Sequence, residues 1–306
     1  MASIHPFEGT VLSSTLCDLG EGVSFEPETN TLWWCNILGK ALHALDLTSG
    51  KETIHPLPVM ASVVARIDDE RQLIGSDKGL FIRTRATGEL APHCELEPGN
   101  DANRSNDGRV HASGSLWIGT MGRTAADGAG AIYHVSKGVV TKLYDRISIP
   151  NAICFSPDAA TAYFVDTRGN RLMKVSIDPA TGLPSGQPSV FVDGSADAGG
   201  IDGAICDANG HLWNARWGEA ALDHYNADGT FIQRYQLPAK RTTCPAFIGA
   251  GRIAVTSAWE GLDDAGRAAD PMAGATFAVD TGAQAKYDPA YRLSIADTYQ
   301  VETFPA

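Results

Sequence analysis

One unit recurs along this chain, and it limits the possible folds more than any other feature. An apolar stretch is followed by a turn such as Ser156-Pro157-Asp158 or Asp207-Ala208-Asn209-Gly210, then by a second apolar stretch that often carries an aromatic residue. A polar turn and a third strand-like stretch complete the unit. The clearest copies open at Gly22, Asn106, Asn151 and Asp202, and weaker ones near Ala61 and Cys244. Starts at about 21, 62, 106, 151, 202 and 244 lie roughly 41 to 51 residues apart, the length of a four-stranded propeller blade. Helical periodicity is almost absent, and Gly, Asp, Asn and Pro punctuate the apolar runs throughout. The 306 residues therefore predict an all-β, six-bladed β-propeller forming a single domain over 1–306, with a strand near Val11 to Leu16 completing the last blade. A sandwich needs no such period, and a βαβ fold needs helices.

A propeller decides where chemistry can occur. The first strand of each blade lines the central channel, so equivalent unit starts converge although they are far apart in sequence. The polar residues there are Glu21, Asn106 with Arg104, Asn151 and Asp202. Two carboxylates and a carboxamide from separate blades make an oxygen cage suited to a hard cation. Taken singly, each reads as an ordinary turn residue; the equivalence of their positions makes the case for a site. Arg104 and Asn106 are two residues apart, so both point to one face of an extended strand.

Other features narrow the class. A net charge of −12 argues against a nucleic-acid partner, which needs a basic face. No apolar run reaches the ~18 residues that span a bilayer, and Met1 to Gly20 lacks a secretion signal. The six cysteines are scattered, several in apolar strand-like runs, and read as buried thiols of a cytoplasmic protein. Trp33, Trp34, Trp117 and Trp213 fall on second strands and read as core between blades. Arg216 and Trp217 follow such a strand and are weak candidates for the channel mouth. The eight histidines show no HxH, HExxH or i,i+4 pair and read as surface or core. No GxSxG elbow supports a nucleophilic serine. Glu260 to Pro271 reads as a loop over a channel opening, and 281–306 as an extension without a readable role.

Five segments carry a more specific signal: Leu19-Gly20-Glu21-Gly22, Asn103-Arg104-Ser105-Asn106-Asp107-Gly108, Leu116-Trp117-Ile118-Gly119-Thr120-Met121, Pro150-Asn151-Ala152 and Ile201-Asp202-Gly203. In this order and spacing the chain resembles the regucalcin/gluconolactonase family of six-bladed propellers, over roughly residues 10–280. The resemblance implies that Glu21, Asn151 and Asp202 bind one divalent metal ion, which in the family is calcium, zinc, manganese or iron. It implies that Arg104 and Asn106 contact the sugar, that Asp202 is the general base, and that the substrate is a small sugar lactone. Two departures bear on substrate identity. Gly122-Arg123-Thr124 stands where many relatives carry an acid, which suggests a lactone bearing a free carboxylate. Cys35-Asn36 stands where the first-blade strand commonly ends in Asp. Three alternatives accompany the lactonase reading: a calcium-binding propeller without turnover, a hydrolase of other esters or organophosphates, and an interaction scaffold.

Overall fold

Alternating apolar runs and tight turns leave each unit one way to satisfy its backbone, which is to fold back on itself as an antiparallel sheet. The structure, a computed structural model, describes residues 3–294. It has six sheets whose innermost strands are Gly20–Glu26, Ala61–Arg66, Asn103–Val110, Pro150–Phe155, Gly200–Cys206 and Thr242–Phe247. These begin within about three residues of the starts read from the sequence. Within blades one to five the four strands follow in chain order from the channel outward. The fold is the six-bladed β-propeller that the repeat predicts.

Ring closure comes from the N-terminus. Thr10–Ser13 pairs antiparallel with Thr276–Asp280 and supplies the outermost strand of blade six. This is the expected closing strand, shorter than Val11 to Leu16 because the chain then turns inward, where the Cys17 N–H donates to Gly274 O at 2.9 Å. A second N-terminal strand escaped sequence reading. Ser3–His5 runs parallel to Phe231–Gln236 and makes blade five a five-stranded sheet. Three residues carry no legible period. The segment read as a loop at Glu260 to Pro271 contains a short helix, Asp264–Ala269, capped by the Asp263 side chain on Gly266 N–H.

The core lies between blades. The described residues form six apolar clusters, each shared by two neighbouring sheets. Trp33, Trp34, Trp117 and Trp213 belong to four of them and are buried, as their second-strand positions imply. Cys17, Cys35, Cys154, Cys206 and Cys244 are buried thiols. No helix of the described residues is long and apolar enough to cross a membrane.

The C-terminal extension does have a structural role. Between Thr281 and Arg292 the chain crosses the channel mouth formed by the turns that follow the inner strands. Gln284 O accepts from Ala208 N–H (2.9 Å), Tyr291 N–H donates to Arg66 O (2.8 Å), and Arg292 N–H donates to Gly114 O (2.9 Å). Asp288 pairs there with the buried Arg109. This strap closes one end of the channel. Residues 295–306 of the extension lie outside the described residues.

Candidate active site

The open end of the channel is set by one local device repeated six times. Every inner strand shifts register against its neighbour just after it starts, at Glu21/Ser24, Ala61/Val63, Ser105/Gly108, Asn151/Cys154, Ile201/Ala204 and Thr242/Pro245. A bulge of this kind re-aims the side chain beside it. In blade one Gly22 makes the bulge possible: its φ is 58°, and a Cβ there would lie 2.1 Å from Ser62 O. In blade four Ala152 holds φ 56° without being glycine, a strained conformation of the kind found at functional sites.

The bulges bring Glu21, Arg104, Asn106, Asn151 and Asp202 to the wall of one cavity of about 240 Å³. Four blades contribute. Arg104 Nη1 donates to Asn106 Oδ1 at 2.7 Å, Asn106 Nδ2 donates to Asn151 Oδ1 at 2.9 Å, and Asn151 Nδ2 donates to Thr167 Oγ1 at 3.1 Å. The chain of bonds fixes which way each amide faces and leaves the second lone pair of Asn151 Oδ1 available. Both Arg104 and Asn106 line the cavity, as their two-residue spacing suggests, although Arg104 is still paired in the strand and Asn106 lies within the bulge that follows Ser105.

Electrostatics separate this site from a turn cluster. Glu21 and Asp202 are each only 4% exposed, and burying a charge is expensive unless it is paired. Burial, reinforced by the carboxylate of Asp107, pushes the Glu21 carboxyl up to about 8, against the opposing pull of Gly22 N–H and Arg104. Burial and the carboxylates of Glu21 and Asp107 hold Asp202 well above the usual carboxylate range. Asp202 Oδ1 is buried and has no hydrogen-bond partner. An orphaned carboxylate oxygen, a second acid that repels it and a carboxamide oxygen form a hard donor set that a divalent cation would neutralise. The residues present fit such an ion.

The other candidates divide. Trp217 lines the cavity beside Leu19, Met121 and Ile149. Arg216, its neighbour, does not: it is fully buried among Asp197, Glu219 and Asp223, where it holds blade five together. Arg123 does reach the cavity wall, but its guanidinium is paired with Asp77 at 2.7 Å, and Arg123 Nε donates to Asp101 O. Its charge is therefore largely spent, which removes the reason to expect an anionic lactone. Sequence reading placed the Glu260 to Pro271 segment over a channel opening, where Glu260 does line the cavity, but did not single out Glu260 as a site residue. It sits in the loop after the second strand of blade six, anchored by its N–H on Asp18 O at 2.8 Å, and acts electrostatically on Arg104, Glu21 and Asp202. Loop side chains keep no repeat register, so the periodicity that found the other five could not find this one.

Comparison with known proteins gives this geometry a lineage. Residues 19–259 match the family described as the SMP-30/gluconolactonase/LRE-like region. A Rhizobium meliloti protein named "Putative sugar lactone lactonase" is 56% identical over 295 residues, 96% of this chain and 100% of its own length. An L-arabinolactonase from Azospirillum brasilense is 31% identical, with 92% of this chain and 95% of that one aligned. Among solved structures, a calcium-binding protein, regucalcin, from Agrobacterium tumefaciens has a TM-score of 0.94 at 56% identity, covering 96% of this chain and 100% of that one. The match spans the inner strands of all six blades, and the chain belongs to the SMP-30/gluconolactonase/LRE-like family.

Proposed function

We propose that this chain is a divalent-metal-dependent sugar lactonase that opens a neutral aldonolactone to the sugar acid. The observation that carries the reading is the meeting of Glu21, Arg104, Asn106, Asn151 and Asp202 in one buried cavity with an unpartnered Asp202 oxygen. Glu21, Asn151 and Asp202 would hold the ion. Bound there, a divalent metal polarises a carbonyl oxygen and lowers the pKa of water. Asp202 takes the proton of the attacking water as oxygen adds to the lactone carbonyl carbon, and returns it to the ring oxygen as the ring C–O bond breaks. Arg104, nearly buried, directs its planar donor fork at the developing oxyanion or a ring substituent, and Asn106 holds that fork in place. The apolar wall of Leu19, Met121, Ile149 and Trp217 keeps bulk water from the bond being broken.

Support for this reading also comes from the relatives, whose names specify sugar lactones. A calcium-binding propeller without turnover would use the same oxygen donors but has no need of Arg104 in the cavity. The buried thiols support action in a reducing compartment, the cytoplasm.

The test is acid release from a panel of aldonolactones, before and after chelation, in the native chain and in Arg104→Ala. Chelation abolishes turnover and a divalent ion restores it. Arg104→Ala lowers kcat/KM by about 10²-fold, the worth of one oxyanion donor, while metal content stays that of the native chain. Turnover untouched by chelation removes the metal from the mechanism.

Glu260 sets the charge of the substrate. With Arg123 occupied by Asp77, the acid at the mouth faces the ligand, so a neutral aldonolactone is turned over in preference to an aldarolactone bearing a carboxylate. Glu260→Gln narrows the ratio of the two kcat/KM values by roughly 5-fold, what ~1 kcal/mol of charge repulsion provides. An unchanged ratio assigns Glu260 no part in selection.

A further inference from the structure

Three donor side chains at the other end of blade five take no part in the lactone cavity. Asp207 follows the inner strand Gly200–Cys206, His211 stands at the end of the ensuing turn, and His224 lies on the third strand, Ala221–Tyr225. They are five or more residues along the sheet from Asp202, roughly 16 Å at the rise of a strand. Strand register sets Trp213 opposite His224, and His211, two residues before Trp213, brings its ring to the same place. His211 Nδ1 and His224 Nε2 are 3.0 Å apart. A carboxylate oxygen of Asp207 and these ring nitrogens all lie within 4.8 Å of one another. Asp207 and His224 are buried, while His211 is partly exposed and gives a way in from solvent.

The surroundings hold these groups as an outer shell holds metal ligands. The carboxylate of Asp207 is fixed by the Asn209 and His211 N–H groups on Oδ1 and by Trp213 Nε1 on Oδ2. The Trp213 ring stacks flat on His224, centroid to centroid 3.7 Å at 9°. Gln233 faces His224 Nδ1 at 3.2 Å and also touches Tyr235 OH and His5 Nε2. Tyrosine hydroxyl and imidazole both donate or accept, so the carboxamide can turn over with every partner kept. In one orientation it leaves the proton on His224 Nε2, which then bonds His211. In the other it takes the Nδ1 proton and frees the Nε2 lone pair for a metal, as a hydrogen-bond acceptor behind a ligating imidazole commonly does.

We propose that Asp207, His211 and His224 form a second cation site, which takes a nitrogen-preferring transition metal such as zinc or copper. Two imidazoles and one carboxylate suit these ions better than calcium or magnesium, which favour oxygen alone. The site ties the turn after the inner strand of blade five to the third strand of that blade. It is independent of the lactone reading, because it shares no residue with the cavity.

The experiment is electron paramagnetic resonance of the full-length, metal-free chain with one equivalent of Cu²⁺, paired with a Zn²⁺ titration followed calorimetrically. The native chain shows nitrogen coupling from two imidazoles, which an oxygen-only channel site cannot give. His211→Ala loses one coupling and binds at least ~10-fold more weakly, the scale that even an outer partner of a metal ligand is worth. Lactone turnover stays the same. His211→Asn, which keeps a polar turn residue, repeats the measurement should alanine disturb the turn. A two-nitrogen signal that survives both variants, or equal Zn²⁺ affinity in native chain and variants, overturns the proposal.

Discussion

Asp202→Asn lowers kcat/KM for lactone hydrolysis by roughly 10³-fold or more, and it does so without unfolding the protein. The exchange keeps the shape of the side chain but removes the only group in the cavity proposed both to hold the ion and to carry the water proton. Loss of a general base alone is worth about 10²–10⁴-fold. Stability moves the other way. In the metal-free chain burial, and after it the nearby Glu21 carboxyl, make an ionised Asp202 unfavourable, and a neutral carboxamide avoids that cost. Thermal unfolding of the metal-free variant should therefore occur at or above the temperature of the metal-free native chain. Steady-state kinetics and calorimetry on the same preparations check both halves. Near-native turnover would place the base elsewhere in the cavity, and a collapse in stability would make the activity loss uninformative.

Asp288→Ala is expected to cost about 3 kcal/mol of folding stability while leaving metal content and KM nearly unchanged. Arg109 is 7% exposed at the closed end of the channel, and Asp288 of the strap is its ion-pair partner. Removing one member of a buried pair leaves an uncompensated charge, which typically costs ~3–5 kcal/mol. The lower end applies because Arg109 also feels Asp107 and donates to Ile153 O. Urea unfolding of native and variant chains measures the loss. A double variant with Arg109→Met should recover much of it, since an apolar side chain of similar length needs no partner. No recovery would mean that the strap acts by some other contact.

The parts of this molecule that sequence reading reached are those tied to the repeat. Inner strands, second-strand tryptophans and the five channel residues all sit near the same places in the unit, Glu21 and Asn151 just before the bulge and Asn106 and Asp202 just inside it, so their convergence could be read before any contact was known. What lay outside the repeat was legible only in outline. Glu260 occupies a loop, Ser3–His5 is too short to show a period, and the strap from Thr281 onward has no regular structure to announce it. Arg123 shows a different limit. Its sign was plain from the sequence, but the partner that takes its charge, Asp77, lies in another blade. Arg216 illustrates the same point, since a position just past a second strand fits a channel mouth or an ion network equally well. The pairing of His211 with His224 across two strands likewise has no linear signature.

Closure of blade six by Thr10–Ser13 has a consequence for how the protein is made. The partner strand, Thr276–Asp280, is about 270 residues later. At a synthesis rate of roughly 5–20 residues per second, the N-terminal strand waits some 15–50 s before the sheet it completes exists. Through that interval blades one to five can form in turn as they leave the ribosome, each packing on the one before, while the ring stays open. The first blade then presents to solvent the apolar face that it will finally share with blade six, including Val23, Phe25 and Trp34. Slowed or stalled translation past blade five should therefore leave a nascent chain that depends on chaperones, and release of the last blade should end that dependence in a single step.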